Sequence, residues 1–163
     1  KGHETLSALM QRLKREFRQA HAVVVGGADP KKLAYLDELK TTIEVQGLTD
    51  CITFVGHRSD IREWLAISDL VLCLSNQAET FGRTVLEALS VGTPVVGWQR
   101  GGVAEILSQL YPQGLVAVDD QVTLLKKIQQ HIQTPQQVAP VTQFSLDDMC
   151  QQTLALYEEI LEN

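Results

Sequence analysis

Apolar runs of four or five residues recur along this chain, each ending in glycine or a polar turn and separated from the next by helical spacing. The runs occupy residues 22–26, 52–56, 70–74, 94–97 and 115–118. Each is too short and too evenly apolar to be a helix and reads as a buried strand. Between them, apolar residues return every three or four positions. Leu6, Leu9, Met10, Leu13 and Phe17 predict an opening helix, and Leu33, Leu36, Leu39 and Ile43 a second, opened by Pro30 and closed by Gly47. Ser59 is expected to cap a short helix carrying Ile61, Trp64 and Leu65. Residues 84–91 form a helix stopped by Gly92, and residues 103–110 and 121–132 two more. Residues 133–143 contain Pro135 and Pro140, show no period and read as a crossing loop. Ser145 then caps a last helix with Met149, Leu154, Tyr157 and Leu161 among its apolar positions. Strands alternating with helices predict a doubly wound, Rossmann-like α/β domain with a parallel sheet covered on both faces.

Composition narrows the picture. A chain of 163 residues, 44% hydrophobic, has enough apolar material for one domain and too little for two ordinary ones. Its net charge of −6 and lack of a basic run argue against nucleic acid as a partner. Cys51, Cys73 and Cys150 are odd in number and far apart, as expected of structural thiols in a reducing, cytoplasmic setting. No apolar run approaches the ~18 residues of a membrane span. His3, His21 and His131 have no metal-ligand spacing, and no metal site is expected.

The chemistry concentrates in residues 75–102. After the third apolar run comes Glu79-Thr-Phe-Gly-Arg-Thr-Val-Leu-Glu87, which places one glutamate in a loop and the other in the helix that follows. Gly82 allows close approach of backbone to a ligand, while the helix start presents free N–H groups to an anion. Carboxylates suit vicinal hydroxyls. The combination fits a ligand bearing both phosphates and hydroxyls, such as a nucleotide sugar. The same residues also fit an i, i+4 ion pair between Arg83 and Glu87, of the order of 0.3–0.5 kcal/mol, with Glu79 merely exposed.

Residues 79–87, the Ala-Leu-Ser-Val-Gly-Thr-Pro-Val-Val that follows, and Gly101-Gly102-Val-Ala-Glu105 together resemble the E-x7-E region of glycosyltransferase family 4. That family comprises retaining, nucleotide-sugar-dependent enzymes of the GT-B fold. The resemblance implies that Glu79 meets the donor sugar, that Glu87 holds the ribose hydroxyls, and that Phe81, Gly82 and Arg83 bind the diphosphate. Where Arg83 stands the family usually has an aliphatic residue, so its role stays open between a phosphate contact and a pair with Glu87. His57 and Arg58 would border the nucleobase, where backbone contacts can serve as well as side chains. Gly101 and Gly102 would bring further amides to the donor or simply form a tight turn. The family needs no metal or other cofactor.

Lys1-Gly2-His3 resembles the Lys-Gly that follows a strand and a G-R-L-like turn in that family, where the lysine binds the diphosphate. The resemblance therefore implies that Lys1, with Glu79, belongs to the catalytic set. It also implies that residues 1–163 are the C-terminal donor-binding half of a GT-B enzyme, without its first strand or its acceptor domain. Such a half would bind donor weakly and transfer nothing alone. Finer likeness, in Gly56-His-Arg-Ser-Asp-Ile-Arg-Glu and Phe81-Gly-Arg-Thr, is to bacterial enzymes of lipopolysaccharide or other surface glycans. Their acceptor would be a glycan or lipid-linked glycan, with peripheral membrane association of the full-length enzyme. Two other classes remain open: a non-catalytic nucleotide-binding or interaction module of the same fold, and a sugar-nucleotide epimerase of GT-B architecture. If the strand order is 3-2-1-4-5-6, loss of the first strand leaves residues 22–26 and 70–74 without their common partner. Five parallel strands with a central gap are the expected consequence.

Overall fold

A computed structural model of the chain describes residues 2–27, 33–136 and 138–161. In order these form helix α1 (His3–Glu16), strand β1 (Ala22–Val25), α2 (Leu33–Val45), β2 (Ile52–Gly56), α3 (Ile61–Ala66) and β3 (Val71–Cys73). There follow α4 (Arg83–Ser90), β4 (Val95–Trp98), α5 (Gly101–Leu110), a 3-10 turn (Pro112–Gly114), β5 (Leu115–Val116), α6 (Gln121–Gln133) and α7 (Leu146–Leu161). Lys1 and Pro30, both given roles by the sequence, lie outside the described residues.

All strand pairings are parallel. β1 lies beside β2 with Ala22 opposite Ile52, while β4 is central between β3 and β5, with Val71 opposite Val95 and Trp98 opposite Val116. Among the described residues no ladder joins β1 to β3, so the five strands divide into sheets of two and three. The expected gap between residues 22–26 and 70–74 is present.

Strand alternation sorts the core into two clusters on opposite faces. Leu72, Val96, Trp98 and Val116 point to one side, where Leu9, Met10 and Leu13 of α1, Leu39 and Ile43 of α2, and Leu124 and Ile128 of α6 cover them. Val71, Val95 and Leu115 point to the other, against Leu65 of α3, Val85, Ala88 and Leu89 of α4, and Val103, Ile106 and Leu107 of α5. β1 and β2 join only the first cluster, through Ala22, Val24, Ile52 and Phe54.

Helix ends follow local chemistry, with two departures from expectation. Gly47 and Gly92 take left-handed φ of 65° and 84° just past α2 and α4, as helix-stopping glycines do. Ser145 caps α7, its Oγ accepting from the Asp148 amide at 3.1 Å. Ser59 does not cap α3; the chain becomes helical one residue later, and the Asp60 carboxylate at the cap is taken by the Arg58 guanidinium at 2.8 and 2.6 Å. α5 begins at Gly101 rather than Val103, because both glycines are needed inside the first turn, as described below. α7 buries none of its residues, leaving Met149, Leu154, Tyr157 and Leu161 exposed.

Candidate functional site

The carboxyl ends of β3 and β4 face the same side, as parallel strands require, and their loops meet there. The contact is between backbones. The Gly102 amide donates to the Glu79 carbonyl at 2.8 Å. A Cβ on Gly102 would fall 2.3 Å from the Phe81 carbonyl carbon, and one on Gly101 2.6 Å from the Glu79 carbonyl oxygen. Gly101 also has φ 55°, which side chains disfavour. The glycine pair is thus required by the fit of one loop against the other, and it brings the start of α5 to residues 79–81.

Gly82 serves from the other side. It is the N-cap of α4 with φ 78°, and a Cβ there would lie 2.9 Å from the Gly102 carbonyl carbon and the Val103 nitrogen. Having no side chain, it offers the helix no side-chain cap, so the first amides of α4 get no acceptor from it. The Glu79 side chain is half-buried, and Phe81 is half exposed beside it. The Cys73 thiol is pushed up to about 12 by burial and, secondarily, by the Glu79 carboxylate, which makes it inert as a nucleophile near neutrality. Gly2 joins the assembly from α1, since a Cβ on it would lie within 3 Å of the Leu74 carbonyl and side chain.

Glu87 stands one turn into α4 and receives a hydrogen bond from Arg83 Nη2 to its Oε1 at 3.1 Å. Both line a cleft of about 610 Å³ between α3 and α4, with Ile61, Arg62, Leu65, Thr84, Ser90 and Val91. Its size suits a nucleoside-sized ligand. Arg62 was not singled out by the sequence, although its place in the first turn of α3 beside Ile61 was the available signal. Arg100 was missed as well; its guanidinium donates to the Asn76 carbonyl and braces the loop after β3.

His57 and Arg58 stand at the end of β2, exposed, with His57 Cβ 3.4 Å from where a Cβ on Gly27 would be. Arg58 is engaged locally by Asp60 and stacks 5.7 Å over the Trp64 ring, which leaves its side chain committed to the α3 cap. Among the described residues no hydrogen bond or ion pair joins either to the Glu79–Gly102 assembly. No group of three His, Cys, Asp or Glu residues among those described could hold a metal ion. No described helix is long and apolar enough to cross a membrane.

A family model for group 1 glycosyl transferases matches residues 1–142. The chain belongs to that family. It is 32% identical over 135 residues to the lipopolysaccharide core biosynthesis mannosyltransferase LpcC of Rhizobium leguminosarum bv. viciae, an alignment covering 83% of this chain and 38% of the relative. Among solved structures it resembles HepE of Anabaena in complex with UDP, at 31% identity and a TM-score of 0.69, over 78% of this chain and 35% of that one. It also matches the C-terminal domain of a group 1 glycosyl transferase, LpcC of Francisella tularensis, at 26% identity and a TM-score of 0.70, over 82% of this chain and 69% of that domain. The first curated relatives are much longer, the chain spanning 24–38% of their length. The fold is accordingly that of the C-terminal, Rossmann-like half of a GT-B glycosyltransferase.

Proposed function

We propose that this glycosyltransferase chain binds a nucleotide-diphosphate sugar through Glu79, residues 81–83 and Glu87, as the donor half of a retaining enzyme. The observation that carries the reading is the Glu79–Glu87 span wrapped around a glycine-capped helix start, with Glu87 in a cleft of nucleoside size. In it Glu87 accepts the ribose hydroxyls, the Phe81, Gly82 and Arg83 backbone meets the diphosphate, and Glu79 meets the sugar. Neither glutamate acts as a general base; both position the donor. The main chemical task of this half is to stabilise charge on the departing diphosphate, with Lys1 contributing a cation and no metal required. The LpcC relative, named for lipopolysaccharide core synthesis, and the UDP complex of HepE support a surface-glycan enzyme using a nucleotide sugar, and the proposal has it work in the cytoplasm. Its glycan or lipid-linked acceptor would be held by a separate domain, as the length of the relatives suggests.

Calorimetry with a nucleoside diphosphate and the matching nucleotide sugar tests the roles. Glu87→Ala weakens both ligands, by about 0.5–1.5 kcal/mol for a lost hydroxyl contact. Glu79→Ala spares the diphosphate and weakens the nucleotide sugar alone. Equal losses on both ligands for both variants would contradict the assignment.

A further inference from the structure

Arg83 is an unfavourable choice on structural grounds. As the first residue of α4 it places a cation where the helix dipole is positive. Its i, i+4 pair with Glu87 runs from base to acid, the weaker of the two orientations. The pair uses a single 3.1 Å bond although a guanidinium offers five donors, and the Arg83 side chain is 81% exposed. The cleft itself is charge-unbalanced. Arg62 and Arg83 line it against the lone carboxylate of Glu87, in a chain whose net charge is −6. Arg62 forms no hydrogen bond or ion pair among the described residues. A residue that opposes its own helix and sits in a locally basic cleft is explained when an anion completes the arrangement.

We propose that Arg83 is a specificity residue of the donor cleft: it holds Glu87 while the cleft is empty and turns to the donor's diphosphate once ribose hydroxyls take the carboxylate. This rests on the donor-site reading above. The exchange replaces one exposed ion pair with a charge-assisted contact to phosphate, and it leaves Glu87 free for both hydroxyls. Arg83 thus strengthens the cleft's preference for nucleoside diphosphates over nucleosides beyond what the backbone amides and Lys1 give, an increment that an aliphatic side chain there cannot supply.

The test measures dissociation constants of the purified protein for uridine and UDP, and for guanosine and GDP, by ligand-observed NMR and calorimetry. Arg83→Leu lowers the preference for diphosphate over nucleoside by about tenfold or more, the effect of losing one charge-assisted hydrogen bond. Nucleoside affinity is kept or rises, because Glu87 no longer has to be released. Arg83→Lys, which retains the charge, recovers most of the preference, and the thermal midpoint of Arg83→Leu does not fall. An unchanged preference, or equal losses for nucleoside and diphosphate, would overturn the role of Arg83 while leaving the donor site standing if Glu87→Ala still weakens both ligands. A wild-type protein that binds neither diphosphate would overturn the donor-site reading and this inference together.

Discussion

β1 and β4 are both apolar strands of four residues that contain consecutive valines, yet they occupy opposite extremes of this fold. Every residue of β4 is buried, whereas β1 alternates, with Val23 42% and Val25 37% exposed. The difference comes from what covers them. β4 is paired on both edges and packed between the two core clusters, while among the described residues β1 pairs only with β2 and contributes to one cluster. An apolar run therefore specifies a strand without specifying how many of its faces are covered. The loops of the candidate site spring from the doubly covered half, so the groups that would position a donor rest on the more fully packed part of the molecule.

Side-chain truncation breaks or sharpens this contrast most directly. Leu107 is fully buried on the α5 side, and Leu107→Ala should cost about 2–5 kcal/mol in denaturant unfolding. The corresponding cut on the open side, Val25→Ala, should stay within about 0.5 kcal/mol. Comparable losses for the two would mean that the outer face of β1 is covered in solution, and the contrast would fail. A smaller effect is expected where the two site loops meet. Gly102→Ala forces a methyl onto the Phe81 backbone and should destabilise the fold by about 1–3 kcal/mol while weakening nucleotide binding. Wild-type binding in that variant would show that the clasp is not needed to shape the site.

The smallest effect concerns acid, and it sits on α6, which belongs to the cluster shared by both halves. The Thr123 side chain and amide hold the Asp120 carboxyl below the usual carboxylate range, and the amide donates at 2.9 Å. Between its folded value and an unfolded value of about 3.9 the unfolded chain binds more protons. This cap therefore stabilises the fold fully above the unfolded value, and the contribution disappears as pH falls through the lower folded one. The stability gap between wild type and Asp120→Ala should narrow as pH drops below about 4. A gap that widens in acid would assign the cap the wrong sign.

Much of this was legible because the signals were local. The Pro94-Val-Val-Gly run became β4, extended by Trp98, since a buried central strand needs only apolar residues. Gly82 before an amphipathic run marked the start of α4. The failures arose where a distant or competing partner decides. Arg58 removed Asp60 from capping α3, and no pattern of propensity shows that competition. Gly101 and Gly102 were expected to bring amides to the donor or to form a tight turn, and neither expectation foresaw that their missing side chains admit the backbone of residues 79–81 into the first turn of α5. The α3–α4 cleft depends on two helices some twenty residues apart, so the place of Arg62 beside Ile61 in the first turn of α3 was legible while the Arg83 and Glu87 that share its cleft were not legible as its neighbours.

The hydrogen bond from the Gly102 amide to the Glu79 carbonyl has a kinetic consequence. It fastens the two ends of a ring that contains all of α4 and β4, so the chain entropy of closing that ring is lost during folding and not when a ligand arrives. Under the proposed function, a nucleotide reaching this surface would meet a mould already set. The rate of its capture would then depend on diffusion and on the field of the basic cleft, with no waiting time for these two loops to be joined.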